Sequence, residues 1–352
     1  MTSAVEPMLV SGASLLMRSL SRRITRRAGV FYSADGPEIT DARELARIKS
    51  LVIPPAWTDV WISPEPDAKV QAVGVDAAGR TQYRYSPDWT RQRSLEKFAH
   101  IPDFARALHP LRSHVAGELK PRRTADRLDR DRVLSTAVRL LDLGFFRVGN
   151  EKYARDNETY GLTTLERRHV EVRGAVMRFD YTAKEHLHRV VEVEDRISAR
   201  WVAALIERDE PGDALLAWHS PAGDWHRVRS SHVNAFVHTA TGIDATAKQF
   251  RTWAGTVLAA AALGGARHDE KSRSPTVAAI RATSRLLGNT PAVARSAYIH
   301  PGVLDAFDAG RTTAEAVRSA ASRLGDDRLA TLWRDPEVQD ATVSLISPRR
   351  PE

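Results

Sequence analysis

The sequence predicts an α+β protein, with a small N-terminal β-rich domain ahead of a larger, mainly helical domain that carries a three-stranded antiparallel sheet. Three observations lead there. Between Gly29 and Trp89, short β-prone runs alternate with Pro/Asp/Gly clusters. From Ser94 onward, apolar residues recur at helical spacing. Within that second stretch, residues 170–193 read as paired strands.

In the first domain the expected strands are Val60–Ile62, Val70–Val75 and Gln82–Tyr85, set apart by SPEPD (Ser63–Asp67) and DAAGR (Asp76–Arg80). One helix is expected over Thr40–Leu51, with Thr40 as N-cap and Ala42, Leu45 and Ile48 on one face. The domain is bounded as 22–98, followed by a linker at 99–107 and the larger domain at 108–340. A basic arm (1–21) and a C-terminal tail (341–352) flank them.

The larger domain opens with a helix over Ala125–Leu143, which lines up Leu128, Leu134, Val138 and Leu141 and stops at Gly144. Its Asp126, Asp129 and Asp131 alternate with arginines and read as a solvated face. A helical turn is expected at Glu151–Glu158. Strands at Val170–Val172, Ala175–Tyr181 and Leu187–Val193 leave Lys184 in the tight connection before the third. Later helices are expected over Asp195–Arg208, Ser230–Thr239, Thr246–Leu263 and Pro275–Leu287, the last capped by Ser274 with Pro275 in its first turn. A Gly-rich polar loop, Leu263–Ser274, separates the last two.

The 352 residues carry a formal charge of +8 and a pI near 9.9. Such a balance points to a polyanionic partner, most simply nucleic acid, or to an arginine-preferring genome. The chain has no Cys, which excludes disulfides, thiolate metal sites and cysteine nucleophiles and fits a reducing cytoplasm. No apolar run approaches the roughly 20 residues of a membrane span. The apolar run Met8–Met17 precedes Arg18, Arg22, Arg23, Arg26 and Arg27, the reverse of a secretion signal. This start imitates an organellar presequence, but a basic arm lying against phosphates is the preferred reading. His186 and His188 share a strand face with no carboxylate at zinc-site spacing, so no metal is assigned.

Four fragments suit phosphodiester chemistry: FRVGNEKYARDNETYGLTTL (Phe146–Leu165), TAK (Thr182–Lys184), KQFRTW (Lys248–Trp253) and RSAY (Arg295–Tyr298). Arginine matches two phosphate oxygens and stays charged. Lysine can protonate a leaving oxygen. Tyrosine can attack phosphorus once nearby cations favour its phenolate.

These fragments, with IPPAWTDVWI (Ile53–Ile62) and GRTQYRYSPDW (Gly79–Trp89), resemble type IB DNA topoisomerases of the compact poxvirus-like, bacterial kind, whose catalytic domain is tyrosine recombinase-like. The resemblance runs from about Arg22 past Tyr298. It implies that the two domains close on duplex DNA as a clamp and that supercoils relax through a 3′-phosphotyrosyl link, without ATP, cofactor or required metal. By motif, Arg147 and Arg251 match the phosphate-binding arginines, Lys184 the acid that protonates the 5′ oxygen, and Tyr298 the nucleophile. The family commonly has a histidine nine residues before that tyrosine; here Asn289 stands there, able to donate a hydrogen bond but not to shuttle a proton. Helix termination in GNTP is its competing role.

Gln82, Tyr83 and Tyr85 match a DNA-touching strand, with the tyrosines on one face and Gln82 on the other. Lys248, one turn before Arg251, reads as a DNA contact. A tyrosine site-specific recombinase is the alternative, against which Lys248 stands where recombinases usually carry histidine. A degenerate DNA-binding protein is the other. A monomer is expected, in a bacterial cytoplasm at the nucleoid.

Overall fold

The computed structural model describes residues 24–27, 30–32, 36–121 and 128–347. The chain divides into two compact units, Met1–Lys97 and Phe98–Glu352. The expected arm, 1–21, lies outside the described residues.

The first unit is built on an antiparallel sheet in the order β2-β1-β3-β4-β5, from β1 (Ile24–Arg27), β2 (Val30–Tyr32), β3 (Thr58–Ile62), β4 (Val70–Val75) and β5 (Thr81–Tyr85). Its core is Ile24, Ile48, Val60, Ile62 and Ala72, with Ile48 supplied by α1 (Ala42–Ser50). Asp41, not Thr40, caps that helix, because its carboxylate accepts the Glu44 N–H at 2.7 Å. DAAGR closes the β4–β5 turn around Asp76, whose Oδ1 accepts from the backbone of Ala78 and Arg80.

The expected linker is helical. Residue 99 ends α2 (Pro87–Ala99), and α3 (Ile101–Glu118) follows after His100, burying Ile101, Phe104, Leu108, Leu111 and Val115. In the second unit α4 (Arg130–Gly144) begins later than its periodicity suggested, since Asp129 is its N-cap and accepts the Arg132 N–H at 2.9 Å. Asp126 lies outside the described residues. After the short α5 (Glu151–Asn157), strands β6 (Val170–Arg173), β7 (Val176–Ala183) and β8 (Leu187–Glu194) form the expected meander, with Met177, Phe179, Tyr181 and Ala183 facing the core.

Helix α6 (Arg196–Glu207) follows, then a hairpin the sequence reading did not anticipate, β9 (Ala217–His219) with β10 (Trp225–Arg227). Three-residue strands carry too little alternation to be recognised; this pair is marked by Trp218 stacked on its cross-strand partner His226, centroids 5.5 Å apart. Helix α7 (Ser230–Thr241) precedes α8 (Ala247–Leu263), which is buried along nearly its whole length. Its Ala-rich face allows close packing, and α3, α4 and α7 lie against it. So do α9 (Pro275–Leu287), α11 (Pro301–Asp308), α12 (Ala314–Leu324), α13 (Leu329–Leu332) and α14 (Pro336–Ile346). The short α10 (Pro291–Ala297) sits between α9 and α11 in the chain. The expected tail from 341 is helical as far as Ile346, with Thr342 and Ile346 buried; residues 348–352 lie outside the described residues.

Asp195 joins α4 and α6 of this unit. Its carboxylate caps α6 by accepting the Ser198 N–H at 2.8 Å and receives Arg139 of α4 through two bonds of 2.8 and 2.6 Å. Burial works to raise its pKa, but Arg139 and the Ser198 bonds outweigh it and hold it below the usual carboxylate value. That stabilisation is present above the unfolded pKa of ~3.9 and is lost as pH falls through the lower folded value. Asp195→Ala should destabilise the second unit by about 2–3 kcal/mol near neutrality, losing a cap and stranding a partly buried arginine. Denaturant midpoints measured at neutral and acid pH should show the gap to wild type closing at acid pH.

Candidate active site

The first site arginine is placed by two chain segments that share a backbone seam. Helix α4 ends at Phe145, in the left-handed region (φ 53°), and Phe146 then buries itself against Phe179 with centroids 4.8 Å apart. Beyond it, the carbonyls of Arg147 and Val148 accept the N–H groups of Leu162 and Thr163 at 2.8 and 2.7 Å. Gly161 makes this possible, because a Cβ there would lie 2.6 Å from Gly149 Cα and 2.7 Å from the Arg147 carbonyl. The spacing of FRVGN and YGLTTL is thus a packing requirement that aims Arg147.

Helix α8 places the next groups. Thr246 caps it, with Gln249 reaching back to the Thr246 N–H at 2.9 Å. Arg251, one turn in, is only 3% exposed. Its Nη1 donates to the Phe145 carbonyl and its Nη2 to the Leu287 carbonyl at 2.9 Å. Burial lowers its pKa to about 10, so it remains a cation at neutral pH.

The same helix fixes Tyr298. Gly255 lets the backbone of Tyr298 rest on α8, since a Cβ there would lie 2.7 Å from the Tyr298 carbonyl oxygen and 2.9 Å from its Cβ. The Thr256 hydroxyl lies 3.3 Å from that carbonyl and accepts the His300 N–H at 3.1 Å. Tyr298 ends α10, as the Thr290–Pro291 start predicts, and its ring lies 4.8 Å from the Arg251 guanidinium carbon.

Burial alone would raise the Tyr298 pKa. The positive charges of Arg251 and then Arg147 outweigh burial and lower it. Asn289 completes the group. Gly288, not Asn289, is the left-handed residue that ends α9, and the Asn289 N–H closes that end by donating to the Ser284 carbonyl at 2.9 Å. Its side-chain carbonyl accepts from Arg147 Nη2 at 2.7 Å, while its Nδ2 is buried without a protein acceptor. The backbone of Asn289 thus closes α9 while its side chain meets Arg147.

Lys184 stands apart from this group. It lies at the β7–β8 turn with its side chain exposed and its ammonium 4.0 Å from Glu185. It shares a cavity of about 230 Å³ with Arg147, Asn150, Thr159 and Tyr160. His186 belongs to this turn while His188 is on β8, bonded to Asp180 at 2.6 Å, so the two do not present one face. Lys248 is exposed although Arg251, three residues on, is buried. In the first unit, Tyr83 and Tyr85 project outward from β5 with centroids 6.1 Å apart, and Gln82 donates to Asp76 at 2.9 Å.

Sequence reasoning missed Arg189, Tyr181, Gly255 and Thr256. Arg189 had a readable signal, being an arginine in phase with the inward Val191 and Val193 of β8. Among the described residues, Arg147, Arg189 and Arg251 form no ion pair with a carboxylate.

A cationic pocket of this kind around an activated tyrosine suits phosphoryl transfer. Residues 86–323 match the family of the eukaryotic DNA topoisomerase I catalytic core, and residues 30–76 match the bacterial DNA topoisomerase IB N-terminal domain. The chain belongs to the type IB DNA topoisomerase family. It is similar to a DNA topoisomerase 1B of Acanthamoeba polyphaga mimivirus, 27% identical over 302 residues that span 83% of this chain and 88% of the relative. As a type IB topoisomerase it is a DNA-binding isomerase that relaxes supercoiled DNA by the type IB mechanism. Among the described residues no helix is long and apolar enough to cross a membrane.

The packing of α8 under Tyr298 makes a topoisomerase-specific prediction. Gly255→Ala must push Tyr298 off the helix, costing about 1–3 kcal/mol of stability as an overpacked site. Plasmid relaxation should fall at least about tenfold while DNA affinity in a gel-shift assay stays within about twofold, since a shift within the site disturbs chemistry more than binding.

Proposed function

We propose that Tyr298 is the nucleophile of the relaxation reaction and that Arg147, Arg251, Asn289 and Lys184 complete its site. The observation that carries this reading is the Tyr298 ring 4.8 Å from the Arg251 guanidinium carbon, with the charges of Arg251 and Arg147 lowering its pKa against burial. The phenolate attacks the scissile phosphorus, and its proton has passed to solvent. The bond from phosphorus to the 5′ oxygen breaks, Lys184 protonates that oxygen, and a 3′-phosphotyrosyl link remains. Rotation of the cut duplex relieves torsion, after which the 5′ hydroxyl attacks phosphorus and Tyr298 leaves.

The two arginines bind the non-bridging oxygens and gain strength as charge accumulates in the transition state. Asn289 fits as a further donor through its unpaired Nδ2, while its carbonyl orients Arg147. It serves as a fixed dipole, so no proton passes through it. The link conserves the energy of the broken bond, and the cations present supply the charge stabilisation, so the reaction proceeds without ATP or metal. Tyr83, Tyr85, Gln82 and Lys248 are DNA contacts in this reading, with Gln82 exchanging Asp76 for DNA. The substrate is duplex DNA, held mainly through phosphates and therefore salt-sensitive. One chain supplies the whole site, which supports a monomer acting at the nucleoid of a bacterial cytoplasm.

Tyr298→Phe should bind DNA like the wild type yet form no covalent adduct on denaturation and relax no plasmid. Relaxation by the purified variant would overturn the assignment. Wild-type enzyme should relax both signs of supercoil in chelator without ATP, and a requirement for either would refute that part of the proposal.

A further inference from the structure

Arg189 occupies a position where an apolar residue would be ordinary. It lies on the inward face of β8 with Val191 and Val193, directly opposite Tyr181 of β7. Its Nη1 donates to the Leu287 carbonyl at 2.6 Å and its Nη2 to the Leu286 carbonyl at 3.3 Å. The Arg189 charge works against the burial that raises the Tyr181 pKa. The fit is close, because a Cβ on Gly288 would overlap the Arg189 side chain. The Leu287 carbonyl also receives Arg251, and two residues later the chain reaches Asn289. Arg189 therefore spans from the hairpin to the helix end that organises the phosphate-binding groups.

Its position relative to Lys184 gives this strut a purpose. The strand pairs Tyr181–Arg189, Thr182–His188 and Ala183–Leu187 lead directly into the turn that carries Lys184. Within that turn Glu185 and His186 both adopt positive φ (68° and 54°), and Lys184 is 68% exposed. A side chain so exposed depends on the strands beneath it for its height above the phosphate. We infer that Arg189 is a positioning residue, holding the Lys184 hairpin against the C-terminal end of α9 so that the lysine meets the departing 5′ oxygen. Both terminal nitrogens of Arg189 donate to the end of α9, which ties the strand to that helix, and its assigned role runs through Lys184. This rests on the assignment of Lys184 as the proton donor.

The test compares single-turnover cleavage of two duplexes identical except at the scissile bond, one with a bridging 5′ oxygen and the other with a bridging 5′ sulfur. A thiolate, whose conjugate acid has a pKa of ~8.5, departs without being protonated, so sulfur bypasses the acid. Arg189→Met should cleave the oxygen substrate about 10–100-fold more slowly, within the range a general acid supplies. On the sulfur substrate it should stay within about threefold of wild type. Cleavage of both at the wild-type rate, or equal slowing of both, would overturn the inference. Should Arg189→Met not fold, Tyr181→Phe removes only the hydroxyl of the residue paired with Arg189 across the strands. It should slow the oxygen substrate about threefold to tenfold with rescue by sulfur, and equal or absent slowing overturns the inference in the same way. Lys184→Met serves as the control. If sulfur does not rescue it, the proton-donor assignment itself fails, and the inference loses its premise whatever Arg189→Met does.

Discussion

The carbonyl of Leu287, at the end of α9, is the acceptor on which the site depends. Arg251 and Arg189 both donate to it, one from α8 and the other from β8. A helix C-terminus offers unsatisfied carbonyls and a partial negative charge, so it can hold guanidinium groups that would otherwise be buried without acceptors. It accepts from their terminal nitrogens without cancelling their charge. A carboxylate in its place would make a neutral pair with little attraction left for phosphate. The carbonyl solution keeps the arginines together and leaves their charge available to the substrate and to Tyr298.

The surrounding structure serves this arrangement. Helix α8 is buried nearly throughout and carries Arg251, the gap at Gly255 and the hydroxyl of Thr256, so one rigid element sets both Arg251 and Tyr298. The Gly149–Gly161 seam aims Arg147 from the opposite side. Asn289 links the two, ending α9 with its backbone and orienting Arg147 with its side chain. By contrast Lys184, the proposed proton donor, sits on an exposed turn, where its position is inherited from the strands below.

Much of this was legible in the sequence. Strong periodicity and clear caps delimited β4 and α9 as observed, and the meander that carries Lys184 followed from alternation and the Arg173–Gly174 turn. Arg147, Arg251 and Tyr298 lay in motifs and Asn289 was found by its place nine residues before the tyrosine, and the fold brings all four together. What escaped was of two kinds. The β9–β10 hairpin and the Asp41 and Asp129 caps are local choices among similar neighbours, which propensity does not separate. Arg189, Gly255 and Thr256 act through partners remote in the chain, and only the fold reveals a carbonyl or a ring on the far side.

The central claim is that uncancelled arginine charge holds Tyr298 toward its phenolate. A spectrophotometric titration of tyrosine ionisation in the free protein, compared with that of Tyr298→Phe, tests it directly. Burial raises the pKa of Tyr160 and Tyr181, so those residues do not mask an early step. The account predicts a tyrosine titrating below the ordinary value of ~10 in the wild type and missing from Tyr298→Phe. A difference between the two proteins that appears only at or above that value would contradict it.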